Sequence, residues 1–208
     1  MVTRSQTAPP KPDAPADPRP IAVPGTTGVT LAEFREMRDA GPPTELVCGE
    51  IVEVPRPVHH HGAYCSIVTT RLTVWTNYFE RGHVLSNDTG YVVQENPDTL
   101  RGPDVIFISK ERLGPQENYD LDDWLRIPPE LAVEVKSPSD SWPQTRAKAV
   151  EYLQSGVAEV WVLDGPTRQL RVHRDPENDP LTLAESDELT SPALPGFACK
   201  VADLLAVG

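Results

Sequence analysis

The sequence predicts an α/β fold, a mixed β-sheet with a helix on each side, and three observations carry that prediction. A long segment with helical apolar periodicity comes early, several short β-branched and aromatic runs follow it, and a second helical segment separates those runs from two more. The length of 208 residues suits one domain with a tail, and 38% hydrophobic against 24% charged residues is the balance of a globular chain with a buried core. No internal repeat is visible.

Residues 1–25 interleave Pro9, Pro10, Pro12, Pro15, Pro18, Pro20 and Pro24 with alanine and aspartate. Such a segment has little apolar surface to bury and is expected to be a disordered or polyproline-like tail, leaving 26–208 as the folded domain. Thr30-Leu31-Ala32-Glu33 fits a capping box, so a short helix is expected over 31–40, stopped by Gly41-Pro42. From 45 to 54 the pattern reads strand, Cys48-Gly49 turn, strand, with Leu46, Val47, Ile51, Val52 and Val54 as the apolar content.

The strongest helix is expected over 62–81, where Tyr64, Val68, Leu72, Trp75 and Phe79 recur at spacings of three and four and Gly82 is the expected stop. Strands are expected over 83–85, 89–94, 105–109 and 131–136, then a helix over 144–154 closed by Gly156. A strand over 159–163 turns through Asp164-Gly165 into another over 169–173.

Charge and cysteine usage exclude several classes. A net charge of −12 repels phosphate backbones at long range, so any nucleic-acid role has to be local to one face. No apolar run approaches the length of a membrane span, and the N-terminus lacks the apolar core of a secretory signal. Cys48, Cys65 and Cys199 are odd in number and form no Cys-x-x-Cys pair, which excludes a cysteine-built structural zinc site and leads us to expect reduced thiols in a cytoplasmic protein.

The charges that need explaining lie in the apolar runs. Asp104 stands at the entrance of the strand over 105–109, and Glu134 and Lys136 fall inside the strand over 131–136, on the same face as the small Ala132. Burying them is costly without partners. In one reading Asp104 and Glu134 are hard oxygen ligands for a divalent cation such as Mg²⁺, with Lys136 beside a substrate phosphate. In the other, Glu134 and Lys136 form a buried ion pair and Asp104 caps a turn. The residue pattern alone leaves both open.

Pro103-Asp104 followed by Glu134-Val135-Lys136 resembles the PD-(D/E)XK phosphodiesterase motif, and the surroundings resemble the Uma-two family of restriction endonucleases. The similar stretches are residues 45–53, His61-Gly62, residues 101–105, 133–140, 148–156, 159–164 and 189–197, so the resemblance covers roughly 30–205. It implies a restriction-endonuclease-like core of helix, three-strand meander, helix and strand, with an added N-terminal helix and β-hairpin. It further implies a homodimeric, Mg²⁺-dependent endonuclease acting on DNA, with Mn²⁺ able to substitute. Asp104 and Glu134 would be the metal ligands, Lys136 the catalytic lysine and Glu45 a further acidic site residue. Cys48-Gly49 departs from the family's Asp-Gly turn, and Lys136 is kept where many relatives have lost the lysine.

Other candidates carry two readings each. Glu45 is a metal-site carboxylate or a solvated strand-edge charge. His61, at the expected helix start, touches substrate or the carboxylates, whereas His59 and His60 are expected to be solvated, because three consecutive imidazoles cannot converge on one ion from a regular element. Lys148, with Arg146 near the start of the second helix, receives a DNA strand or belongs to an ordinary charged face. Rival functions are a non-catalytic member that binds nucleic acid or protein, and a hydrolase for a small phosphate ester.

Overall fold

The computed structural model describes residues 21–23, 25–37 and 42–207. Within the segment 1–25 expected as a tail, β1 (Ile21–Ala22) is paired antiparallel with a later strand and the Val23 N–H donates to Ile51 O at 2.9 Å. Residues 1–20 lie outside the described residues. Helix α1 (Leu31–Met37) starts at the capping box, where the Thr30 N–H donates to Glu33 Oε2 at 2.9 Å and the Glu33 N–H to Thr30 Oγ1 at 3.3 Å. Its expected end over 38–41 is outside the described residues.

β2 (Thr44–Val47) and β3 (Glu50–Glu53) form the expected hairpin, turning through Cys48 at φ 51° and Gly49 at φ 76°. Both turn positions are left-handed, the geometry a two-residue hairpin turn requires. Helix α2 (His59–Phe79) starts three residues before the expected position, and its stop is not Gly82: Glu80 takes the left-handed conformation at φ 51°. Gly82 instead opens β4 (Gly82–Ser86), where an added Cβ would stand 2.7 Å from Ser109 Cα, so glycine is required there by close approach of two backbones.

After β4 come β5 (Tyr91–Gln94), β6 (Thr99–Arg101), β7 (Val105–Ser109), the single turn α3 (Lys110–Leu113), β8 (Leu131–Val135), α4 (Trp142–Gln154), β9 (Glu159–Asp164) and β10 (Gln169–His173). The chain ends in β11 (Leu181–Ala184), β12 (Glu188–Thr190), β13 (Ala198–Lys200) and α5 (Val201–Leu204), four elements the apolar pattern does not signal. The main sheet has the order β11-β10-β9-β8-β7-β4 and is mixed. β4, β7 and β8 form the antiparallel meander, and β8 and β9 are parallel, joined by the α4 crossover that a parallel pair needs.

The expected strand over 89–94 does not join that sheet. β5 and β6 belong to a second sheet, order β1-β3-β2-β6-β5, with its own core of Leu31, Phe34, Leu46, Ile51, Val92 and Leu100. Period-two alternation shows which face a strand buries and not which sheet it pairs with.

Strand parity positions the site. Val105, Phe107, Val133 and Val135 point to α2 and pack with Val68, Leu72 and Trp75. Ile106 and Ala132 point to α4 and pack with Ala149 and Tyr152, and Glu134 shares their face. No helix among the described residues is long and apolar enough to cross a membrane.

Replacing Gly82 by alanine forces β4 from β7. The expected loss is about 1–3 kcal/mol, read as a lower urea midpoint with an unchanged slope; an unaltered midpoint would contradict the close approach.

Candidate active site

Because β7 and β8 run antiparallel with Val105 opposite Val133, the start of one strand meets the end of the other. Pro103-Asp104 and Glu134-Val135-Lys136, about thirty residues apart in sequence, are thereby brought together. Buried Asp104 fixes the junction: its Oδ2 accepts from the Val135 N–H at 2.6 Å, while Oδ1 lies 3.3 Å from His61 Nε2 in the first turn of α2. His59 and His60, as expected, are exposed.

Glu134 is met from above by α4. Tyr152 Oη donates to its Oε1 at 2.7 Å, and Lys148 Nζ lies 3.0 Å from Oε1 and 3.1 Å from Oε2. Lys148 and Tyr152 are four apart, so both descend from one helix face. The same ammonium donates to Glu45 Oε1 at 3.1 Å, across from the second sheet. Glu45 is completed by Arg101 at 2.8 Å and the Gly102 N–H at 3.1 Å, and Arg101 also holds Glu151 at 2.7 Å.

The sequence-predicted residues therefore separate. Asp104, Glu134, Glu45, Lys148 and His61 share one site. Lys136 lies on the same strand face, but its Nζ donates to Ser137 O at 3.3 Å and lies 5.5 Å from the Trp142 ring centre. The buried Glu134–Lys136 pair is not formed; the partner of Glu134 is Lys148. Arg101, Glu151 and Tyr152 are network members whose roles sequence reasoning missed. The i, i+4 spacing of Lys148 and Tyr152, on a helix crossing over the strand of Glu134, is the signal that could have found two of the contacts.

The electrostatics divide the carboxylates into two kinds. Burial works to raise Glu45, but Lys148 and Arg101 outweigh it and hold the carboxyl down at about 2. Burial, together with the charges of Asp104 and Glu45, drives Glu134 the other way, to about 7, against the pull of Lys148 and Tyr152. Asp88 is likewise raised by burial and by Asp104. Burial opposes the Lys148 charge, yet Glu134 and Glu45 keep the ammonium well above the ordinary lysine range, so it is a permanent cation and not a base. For His61, burial is outweighed by the hydrogen bond and charge of Asp104, which raise it toward the protonated form.

Cys65, one turn beyond His61, places Sγ 3.4 Å from His61 Nδ1. Cysteine, histidine and aspartate in this order have the connectivity of a nucleophile triad. Burial and the negative Asp104 push the thiol far up, however, the reverse of what a thiolate nucleophile needs. The three side chains also have donor atoms within 4.8 Å of one another. His61 faces Asp104 through Nε2 and Cys65 through Nδ1, and Asp104 also interacts directly with Cys65. Asp104 and Glu134 could hold a hard divalent cation, which prefers oxygen ligands and relieves the repulsion between carboxylates.

The Glu134 shift has a pH consequence. Its folded value stands above the ordinary ~4.3, so its contribution to stability is full below that and is lost as pH rises through about 7. In metal-free urea titrations, Glu134→Gln should gain on the parent protein between pH 5 and pH 8. An equal difference at both pH values would refute the shift.

A family model described as "Putative restriction endonuclease" and named Uma2 matches residues 31–203, a span that includes all of these side chains. The fold is similar to a crystal structure of "a putative nuclease belonging to DUF820" from Anabaena variabilis ATCC 29413, with a TM-score of 0.74 and 19% identity over 86% of this chain and 98% of that one. No curated protein matches the sequence. The family match covers most of the chain, and the protein belongs to the Uma2 family of restriction-endonuclease-like proteins.

Proposed function

We propose that the protein is a metal-dependent endonuclease that hydrolyses DNA phosphodiester bonds, with Asp104 and Glu134 holding Mg²⁺. The observation that carries this reading is the approach of Asp104 and Glu134 at the adjoining ends of β7 and β8: Asp104 accepts from the Val135 N–H, next to Glu134, and Glu134 is raised first by burial and then by the like charges of Asp104 and Glu45. A bound Mg²⁺ would supply Lewis acidity to the phosphate and to the attacking water.

The chain's own groups have separate tasks in this reading. The Val135 N–H occupies Asp104 Oδ2 and so orients the other oxygen toward the site. Tyr152 fixes the rotamer of Glu134. Lys148, permanently charged, offers its ammonium to the negative charge that builds on a phosphate oxygen, a task the motif assigns to Lys136. Glu45, neutralised by Arg101 and Lys148, positions that ammonium rather than binding the ion. His61, next to Asp104 and tending to the protonated form, holds a proton within reach of the substrate.

A double-strand cut is simplest with two such sites related by a two-fold axis, so the reading includes a homodimer. Light scattering at micromolar concentration should return twice the chain mass of 22.9 kDa.

A second reading, a non-catalytic member that binds nucleic acid or protein, is favoured by one observation: both Glu134 oxygens already have partners in Tyr152 and Lys148. Supercoiled plasmid separates the two. With Mg²⁺ the protein should nick or linearise it, and Asp104→Ala and Glu134→Gln should each abolish cutting while remaining folded. Undiminished cutting by either variant rejects the metal ligands, and an intact plasmid with the parent protein leaves the binding reading.

Lys148→Ala should slow single-turnover cleavage by a factor of ~10²–10³, with Lys148→Arg recovering part of it. Equal rates for Lys148→Ala and the parent protein would return the role to Lys136.

A further inference from the structure

For a chain of net charge −12, the second face of the α4 layer has an unusual grouping of cations. Arg171 lies with its Cζ 3.3 Å from the centre of the Trp142 ring, and Lys136 Nζ lies 5.5 Å from the same centre. Arg146, four residues after Trp142 on α4, adds a third. Elsewhere Arg101, Arg174, Arg112 and Lys148 are each within 3.3 Å of a carboxylate oxygen. These three are not so matched. Among the described residues Lys136 and Arg171 have no carboxylate within 4.0 Å, and Arg146 has only Asp179, at 3.9 Å and with a side chain 98% exposed.

The guanidinium groups are also short of hydrogen bonds. The Nε atoms of both Arg146 and Arg171 are buried without an acceptor, and Arg146 Nη2 donates to Asn178 O at 3.5 Å. His173, two residues along β10 from Arg171, brings no compensating charge: burial, Arg146 and Arg171 lower it to about 4, leaving it neutral at physiological pH. Stacking on Trp142 stabilises the Arg171 cation, but it leaves the positive charge without a counter-ion.

Register ties the group to the carboxylates. Glu134 is opposite Val162, and Val162 is opposite Arg171, so Arg171 lies two strands across, about 10 Å from Glu134 at the usual strand spacing. Lys136 directly follows the last residue of β8, two residues beyond Glu134 and about 7 Å from it. Both are on the α4 face of the sheet, as Glu134 is.

We propose that Lys136, Arg171 and Arg146, gathered around Trp142, form a seat for backbone phosphates of duplex DNA beside the Asp104–Glu134 centre. The ligand class rests on the nuclease reading, but the seat does not require cutting. Planar guanidinium groups match phosphate oxygens, and with no carboxylate within 4.0 Å of Lys136 or Arg171 among the described residues their field is left to the ligand. Lys136 is then a backbone contact, which reconciles its place in the motif's strand with its distance from the carboxylates.

The test is duplex binding in Ca²⁺, with affinity measured from about 50 to 200 mM monovalent salt for the parent protein and for Lys136→Ala, Arg171→Ala and Arg146→Ala. Each phosphate contact contributes a slope of about −0.9 in log K against log salt. Each variant should therefore show a slope shallower by about 0.9, with weaker binding at low salt. Arg71→Ala, on α2 at the other side of the sheet, should leave the slope unchanged.

Thermal melts identify any variant that has lost its fold, and Arg171→Gln, which keeps a polar planar group on Trp142 without the charge, should repeat the slope change. Parent-like slopes in folded Lys136→Ala and Arg171→Ala, or no duplex binding by the parent protein, would overturn the seat. A parent protein that binds with these slope changes but leaves Mg²⁺-treated plasmid intact would uphold the seat while rejecting the endonuclease reading.

Discussion

The Lys148 ammonium, between Glu134 on the main sheet and Glu45 on the smaller one, is the contact on which the rest of the site depends. Two carboxylates approaching from different sheets would repel, and burial would raise both. With one ammonium reaching each of them, and with Arg101 added on the far side of Glu45, the acidic residues divide into one that is firmly ionised and one that is poised near neutrality. The division matters chemically. A fully compensated cluster has little use for a cation, and a fully uncompensated one would not stay buried.

Around that contact the fold uses backbone order to supply precision. Asp104 is held by a main-chain donor of β8, so its orientation follows from strand pairing rather than from a flexible partner. Glu134 is aimed by parity, and Lys148 and Tyr152 by helical spacing on the crossover that any parallel pair in this sheet must have. Groups placed by regular elements lose little freedom on ordering, which suits a centre that has to present oxygens at a fixed separation.

Much of this was legible in the residues. The capping box at Thr30, the turn at Cys48-Gly49, the crossover helix and the conjunction of Pro-Asp with Glu-x-Lys all express local rules, and local rules survive folding. The misread elements depend on partners far along the chain. β5 alternates like any half-buried strand, yet Leu46 opposite Leu100 takes its neighbour β6 into a separate sheet. Gly82 looks like a helix stop and is instead a point of backbone contact with β7. The lysine of the motif was legible as a charge, but only the α4 crossing shows that Lys148 lies closer to the carboxylates.

The junction between the two sheets also bears on how the protein acquires its native state. Arg101 and Glu45 stand on the paired strands β6 and β2 of the smaller sheet, whereas Glu45 and Lys148, 103 residues apart in sequence, join the two sheets, so only the second contact requires both sheets to have docked. A chain that had assembled the main sheet and α4 alone would already pair Glu134 with Lys148, yet would lack the second carboxylate that holds the ammonium in place. Completion of the ion network thus reports the docking of the two sheets, and a species arrested before it would be compact, largely paired in its backbone and chemically unfinished.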